Sequence, residues 1–266
     1  MITIKPVYRG LCPHCGGDIQ VVSTKDPATC RNCSSEGRST YQLYMELMRD
    51  IESDFVSFFE KVTGFKPWGA QRHWIKRIVR GENAVLIAPT GVGKTTLLIV
   101  YAIYAASRGS RVVYITPTKS LMNQTLQRIE LYVTKTELPR EEVLCYDSSK
   151  SKATREKVLL RIQNCDYKLL VVTNSFLLRN HQLIARCRPD VVIVDDVDSL
   201  LKSERSVYNL IRLLGFSDKA IDLAKRKNAI LWKLMVRKAV GRDVSELVQE
   251  FLEWIESLIA SFHPMR

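Results

Sequence analysis

The sequence has no long hydrophobic run. Its apolar segments stop far short of the roughly 18 residues that span a bilayer. The opening stretch MITIKPVYRG lacks the apolar region of a secretory signal. A soluble, cytoplasmic chain with no membrane partner is therefore expected. Glycine (12) and proline (9) are scarce among 266 residues, which excludes collagen-like and low-complexity chains. Apolar residues are too common, at 46%, for a disordered tail. No internal repeat is visible. Negative charge is in deficit: 28 acids face 40 Lys and Arg, for a net charge of +12. That excess points to an acidic partner, nucleic acid foremost, with a solvated basic surface as the alternative.

Cysteine is unevenly spread. Four of the seven fall in Cys12-Pro-His-Cys15 and Cys30-Arg-Asn-Cys33, separated by 14 residues. Two residues between cysteines let a tight knuckle aim both thiolates at one ion, and two knuckles complete a tetrahedron of sulfurs. Gly16 and Gly17 supply the backbone freedom that follows a knuckle. The expectation is a structural Zn²⁺ on Cys12, Cys15, Cys30 and Cys33, replacing a core that about 40 residues cannot build. A closed site of four sulfurs leaves no open position for substrate, and His14 reads as a bystander. Disulfides are the alternative, in a hyperthermophile above all. Cys145, Cys165 and Cys187 read as buried packing residues, and His73, His181 and His263 lack ligand spacing.

Behind this head (residues 1–40), a helical linker (41–82) is expected. Tyr44, Leu47, Met48, Ile51, Phe55, Phe58, Phe59 and Val62 recur at helical spacing, and Gly64 ends the run. From residue 83 to 198 short Val/Ile-rich runs predict strands at Ala84–Ala88, Val112–Thr116, Val143–Cys145, Leu169–Thr173 and Val191–Val194. They do not alternate, as strands buried on both faces should not. Helical stretches separate most of them, so an α/β fold with a parallel sheet flanked by helices is expected. Residues 199–266 read as a helical insert. Between Ser199 and Arg242 it carries 11 basic and three acidic residues, two-thirds of the chain's basic excess.

The strongest motif runs from Ala88 through Pro89, Thr90, Gly91, Val92, Gly93, Lys94, Thr95 and Thr96, between a predicted strand and a predicted helix over Thr95–Ala106. Gly91 and Gly93 let backbone N–H groups close around phosphate oxygens, and the helix N-terminus adds partial positive charge. Lys94 reaches the terminal phosphates of ATP, and the Thr95 hydroxyl ligates Mg²⁺. Asp195-Asp196-Val197-Asp198 follows the last predicted strand, at the carboxyl end where open α/β sheets bind ligands. Asp195 is expected to hold Mg²⁺ and Asp196 to polarise the attacking water. Upstream, the Gln71 amide matches an adenine edge, and Phe65 or Trp68 could stack on the base.

Together these residues resemble superfamily 2 helicases. Gln71 is similar to the adenine-reading Q motif, residues 88–96 to motif I and Asp195–Asp198 to motif II. Thr116-Pro117-Thr118-Lys119 resembles motif Ia, and Thr173-Asn174 resembles motif Ib with Asn174 where Pro is usual. The resemblance implies a RecA-like domain, ATP and Mg²⁺ as ligands, and contacts from Pro117, Thr118, Lys119, Thr173 and Asn174 to one DNA strand. With the four-cysteine head and the basic helical insert, the chain resembles the N-terminal part of the reverse gyrase family. In those enzymes a helicase-like module is joined to a type IA topoisomerase, and they introduce positive supercoils. The sequence has no Ser-Ala-Thr motif III, no second RecA-like lobe with arginine fingers, no latch and no tyrosine in a catalytic context. It reads as a fragment ending inside the insert, whose partners are sequence-nonspecific DNA and the missing lobe and topoisomerase module. Weak nucleotide binding with little turnover is expected. A non-enzymatic zinc and DNA-binding fragment, or the first lobe of an RNA or DNA helicase, are the other readings.

Overall fold

The computed structural model describes residues 7–10, 12, 15–20, 30, 32–33 and 40–261. His14 and His263 lie outside them. The chain divides into two compact units, Met1–Val100 and Tyr101–Arg266.

In the first unit, β1 (Val7–Tyr8) and β2 (Ile19–Gln20) pair antiparallel beside the cysteines. Helix α1 (Thr40–Thr63) follows from the spacing of its apolar residues. Phe55, Phe59 and Val62 are buried, whereas Leu43, Tyr44 and Leu47 at its other end are exposed. Gly64 stops it in the left-handed region (φ +84°), its N–H donating to Glu60 O at 2.9 Å. Helix α2 (Gly69–Ile78) buries Gln71, Ile75 and Ile78. Helix α3 (Lys94–Ser107) begins one residue before the expected start and runs into the second unit.

The strand expected at Ala84–Ala88 does not form. This segment pairs with no strand among the described residues, and Val85 (69%) and Ile87 (88%) are exposed. An apolar run becomes a strand only when a neighbouring ladder satisfies its N–H and C=O groups, and the run itself does not specify that neighbour.

In the second unit, β3 (Val112–Thr116), β4 (Val143–Cys145), β5 (Leu169–Thr173) and β6 (Val191–Val194) lie where the sequence predicts them. They form a parallel sheet in the order β4-β5-β3-β6, with Thr116 opposite Thr173 and Ile115 opposite Val194. Every residue of β3 is buried, as is Leu169–Val172 of β5. Helices α4 (Lys119–Val133), α5 (Lys152–Gln163) and α6 (Asn174–Ala185) connect the strands, and α7 (Val197–Leu201) follows β6. One core cluster joins Val113, Ile115, Leu170 and Val172 of the sheet to Phe176, Leu177 and Ile184 of α6 and to Leu200 and Leu213. Each such side chain contributes about 1.5–3 kcal/mol by burial. The last three helices are α8 (Glu204–Leu213), packed on α6, then α9 (Asp218–Ala239) and α10 (Ser245–Ser261), packed on each other. Gly215 and Gly241 separate them in the left-handed region.

Cys165 and Cys187 are not two independent packing residues. They form a disulfide between the end of α5 and the end of α6, with Cα atoms 5.3 Å apart. Cys145 is a free thiol, and burial pushes it up to about 12. It stays neutral, as a packing residue should.

Candidate functional site

Three groups of sequence-predicted residues assemble. The first is the thiol cluster: the sulfurs of Cys12, Cys15, Cys30 and Cys33 all lie within 4.8 Å of one another. The first knuckle is closed by Gly16 N–H donating to Cys12 O (2.8 Å) and Cys12 N–H donating to Gly17 O (2.9 Å). Gly16 needs its φ of +69°, and a Cβ on Gly17 would sit 3.2 Å from Cys15 Sγ. Cys12, Cys30 and Cys33 are buried and Cys15 is exposed. Cys15 and Cys30 Sγ are 3.4 Å apart. The edges of a Zn–S₄ tetrahedron with bonds of about 2.3 Å are roughly 3.8 Å, so this donor set fits zinc. The Cys15 thiol, then burial and the other two cysteines, push the Cys33 thiol far above its ordinary value. Holding all four sulfurs as thiolates in this space would require a cation.

The second group is the phosphate loop with Gln71. Gly91 and Gly93 both have φ +83°. At Gly93 a Cβ would come 2.6 Å from Gln71 Nε2, so glycine is required twice over. Gln71 is buried; its Nε2 donates to Gly93 O (3.2 Å), and its Oε1 accepts from Trp68 N–H (3.3 Å), the second contact being half of a helix capping box. Trp68 Nε1 donates to Val92 O at 3.2 Å. Gln71 and Trp68 thus grip the loop's own backbone. Phe65 is 66% exposed. Lys94 folds back on its loop, its Nζ donating to Ala88 O and to Pro89 O (2.7 Å). These carbonyls hold the ammonium at the mouth of the loop, beside the first turn of α3 that carries Thr95 and Thr96.

The third group lines the carboxyl edge of the sheet in the second unit. Asp195 N–H continues the ladder to Ile115 O at 2.9 Å. Its Oδ2 accepts from the phenol of Tyr114 at 3.1 Å, and Tyr114 is fully buried. Asp196 adopts φ +57°, a left-handed turn that aspartate tolerates, and α7 starts directly after it. On the neighbouring strands, Thr118 caps α4 by accepting from Leu121 N–H, and Thr173 caps α6 by accepting from Phe176 N–H, both at 3.3 Å. Pro117 lies between β3 and the Thr118 cap. Asn174 Nδ2 donates to Ser199 Oγ at 3.4 Å. The ammonium of Lys119 is engaged by Asp147 at 3.0 Å. The sequence reading missed Tyr114 and Ser199, because one sits in an ordinary strand and the other beyond the Asp box, with no spacing to mark either.

A phosphate-loop sequence, a parallel sheet and an acidic box at the sheet's carboxyl edge define a nucleotide-binding α/β protein of the helicase class. The DEAD/DEAH box helicase family model matches residues 68–230, and the chain belongs to that family. It is 35% identical to a reverse gyrase of Pyrococcus horikoshii across 83% of its own length and 15% of the relative's. It is 34% identical to reverse gyrase 2 of Aeropyrum pernix across 94% of its length and 22% of the relative's. The helicase Lhr of Mycobacterium smegmatis, solved with single-stranded DNA and AMP-PNP, overlaps 61% of the chain at 22% identity with a TM-score of 0.48. The chain thus spans about a fifth of the curated relatives it matches. Among the described residues no helix is long and apolar enough to cross a membrane.

Proposed function

We propose that this chain is the ATP-binding, DNA-contacting part of a reverse gyrase-type topoisomerase. The observation that carries this is the reach of the likeness. A match over 94% of the chain runs past the helicase-matched residues at both ends, into the cysteine head and the basic helices. In this reading residues 1–40 are a zinc-bound head, 41–82 a linker with the adenine-reading Gln71, 83–198 the RecA-like domain and 199–266 a basic insert.

The amides of Thr90–Thr96 and Lys94 hold the phosphates, and Phe65 flanks the base. Magnesium, when bound through Thr95 and Asp195, neutralises charge on the phosphate oxygens. Lys94 leaves the carbonyls of Ala88 and Pro89 for the more negative phosphate. Asp196 polarises the water that attacks the terminal phosphate, whose bond to the ADP oxygen breaks as the new phosphorus–oxygen bond forms. Pro117, Thr118, Lys119, Thr173 and Asn174 contact one DNA strand through its phosphates, which sets position without reading sequence. Turnover by the chain alone is slow, since an arginine finger from a partner lobe is worth about 10³ to 10⁵ in rate. The test is ATP turnover with and without DNA, for wild type and Lys94→Ala. Slow turnover in wild type and none in the variant is expected; equal turnover in both contradicts the assignment.

A further inference from the structure

Helix α9 buries one face and leaves a second apolar face uncovered. Leu223, Ile230, Leu231 and Leu234 share one side, buried or half-buried, and Ile221 near the N-terminus is buried as well; the helix packs on α8 and α10. At 100° per residue, Trp232, Met235 and Val236 fall opposite Leu223, Ile230, Leu231 and Leu234, in the C-terminal half of the helix. Trp232 is 68% exposed and Met235 66%. Along one edge of this stripe Lys219, Arg226, Lys233 and Arg237 recur at steps of seven, seven and four residues. The longer steps rise about 10 Å each. All four are exposed, and among the described residues none closes an ion pair. The helix carries seven basic residues against two acids, and one of those, Asp218, is already paired with Arg212 at 2.7 Å.

An apolar face bordered by unpaired cations repels a second copy of itself and attracts a polyanion with apolar surfaces. A duplex offers phosphates, but its base faces are covered by stacking. A single strand offers both, and an exposed indole next to a cation row matches it. We infer that α9 is a platform for single-stranded nucleic acid: a base stacks on Trp232, with Met235 and Val236 beside it, while Lys219, Arg226, Lys233 and Arg237 engage the phosphates. This deepens the proposed function and rests on its nucleic-acid reading.

The test is fluorescence anisotropy with the zinc-loaded chain, an oligothymidylate and an abasic strand of equal length. The abasic strand keeps the phosphates and removes the stacking partner. Wild type is expected to bind the base-bearing strand about fivefold tighter or more. Trp232→Ala is expected to erase that preference and leave abasic binding unchanged; Trp232→Phe keeps most of it. Arg226→Glu with Lys233→Glu weakens both strands. The inference is overturned if Trp232→Ala retains the preference, if it weakens both strands equally, or if wild type shows no preference. Binding of neither strand by wild type overturns the nucleic-acid reading itself. Circular dichroism of Trp232→Ala checks that the helices remain.

Discussion

The phenol of Tyr114, fully buried in β3, donates a hydrogen bond of 3.1 Å to Oδ2 of Asp195 at the end of β6. The bond crosses from one strand to its neighbour and fixes one oxygen of the carboxylate. Burial first, then the charge of Asp195, holds Tyr114 protonated well above its ordinary range. The donor therefore persists at neutral pH and above it.

Removing that hydroxyl is the simplest perturbation of Asp195. Tyr114→Phe is expected to weaken magnesium-nucleotide binding by about three- to tenfold, a fraction of the worth of one hydrogen bond to a charged group because the carboxylate itself remains. Isothermal titration with ADP and Mg²⁺ reads this directly; unchanged affinity contradicts a positioning role. The folded-state value of Tyr114 is raised, so its stabilising effect is complete below about pH 10 and declines as pH rises beyond it. In the Phe variant that alkaline decline should be shallower.

The Cys165–Cys187 bond closes a separation of 22 residues that includes all of β5 and α6. Such a loop restricts the unfolded chain enough to stabilise the fold by about 2–4 kcal/mol. Cys165→Ser is expected to lower the unfolding free energy by that amount, and non-reducing peptide mapping of the wild type should recover the two cysteines as one linked peptide. Two free thiols in the mapped wild type contradict the pairing.

Asp147 accepts from Ser149 N–H at 2.9 Å and pairs with Lys119 at 3.0 Å. The Ser149 bond first, with Lys119 adding to it, lowers its carboxyl to about 2 against burial that opposes ionisation. A depressed carboxylate contributes stability above about pH 4 that disappears as pH falls toward 2. Asp147→Asn is expected to cost about 1–2 kcal/mol at neutral pH and to flatten the stability curve between pH 4 and 2. An unchanged acid limb in urea titrations rules this out.

Metal content tests the head. One zinc per chain is expected by elemental analysis, and Cys30→Ser or Cys33→Ser should lose it, because three sulfurs leave the ion exposed to competing water and chelators. A metal-free wild type, purified without chelator, contradicts a zinc head.

The sheet was legible because β3, β5 and β6 carry continuous β-branched runs, a pattern that only two-sided burial explains. The four cysteines were legible because their spacing carries the geometry of a tetrahedron. Ala84–Ala88 carries the same apolar signal as β3 yet pairs with no strand among the described residues, since the signal names burial and not a partner. The Cys165–Cys187 bond depends on two helix ends meeting at 5.3 Å, which no spacing of 22 residues encodes. The sequence singles out Gln71 for a base edge, and in the structure its amide also holds Gly93 O and the start of α2. Two roles share one side-chain chemistry, and the sequence separates them no better than it reveals the phenol behind Asp195.

The measurement that bears most directly on the account is equilibrium binding of ADP with and without Mg²⁺ to wild type, Lys94→Ala and Asp195→Asn. Magnesium should tighten binding to wild type. Lys94→Ala should lose about tenfold or more in affinity, and Asp195→Asn should lose its response to magnesium. If both variants bind magnesium-ADP as wild type does, neither the loop nor the acidic box serves a nucleotide, and the helicase-like account fails.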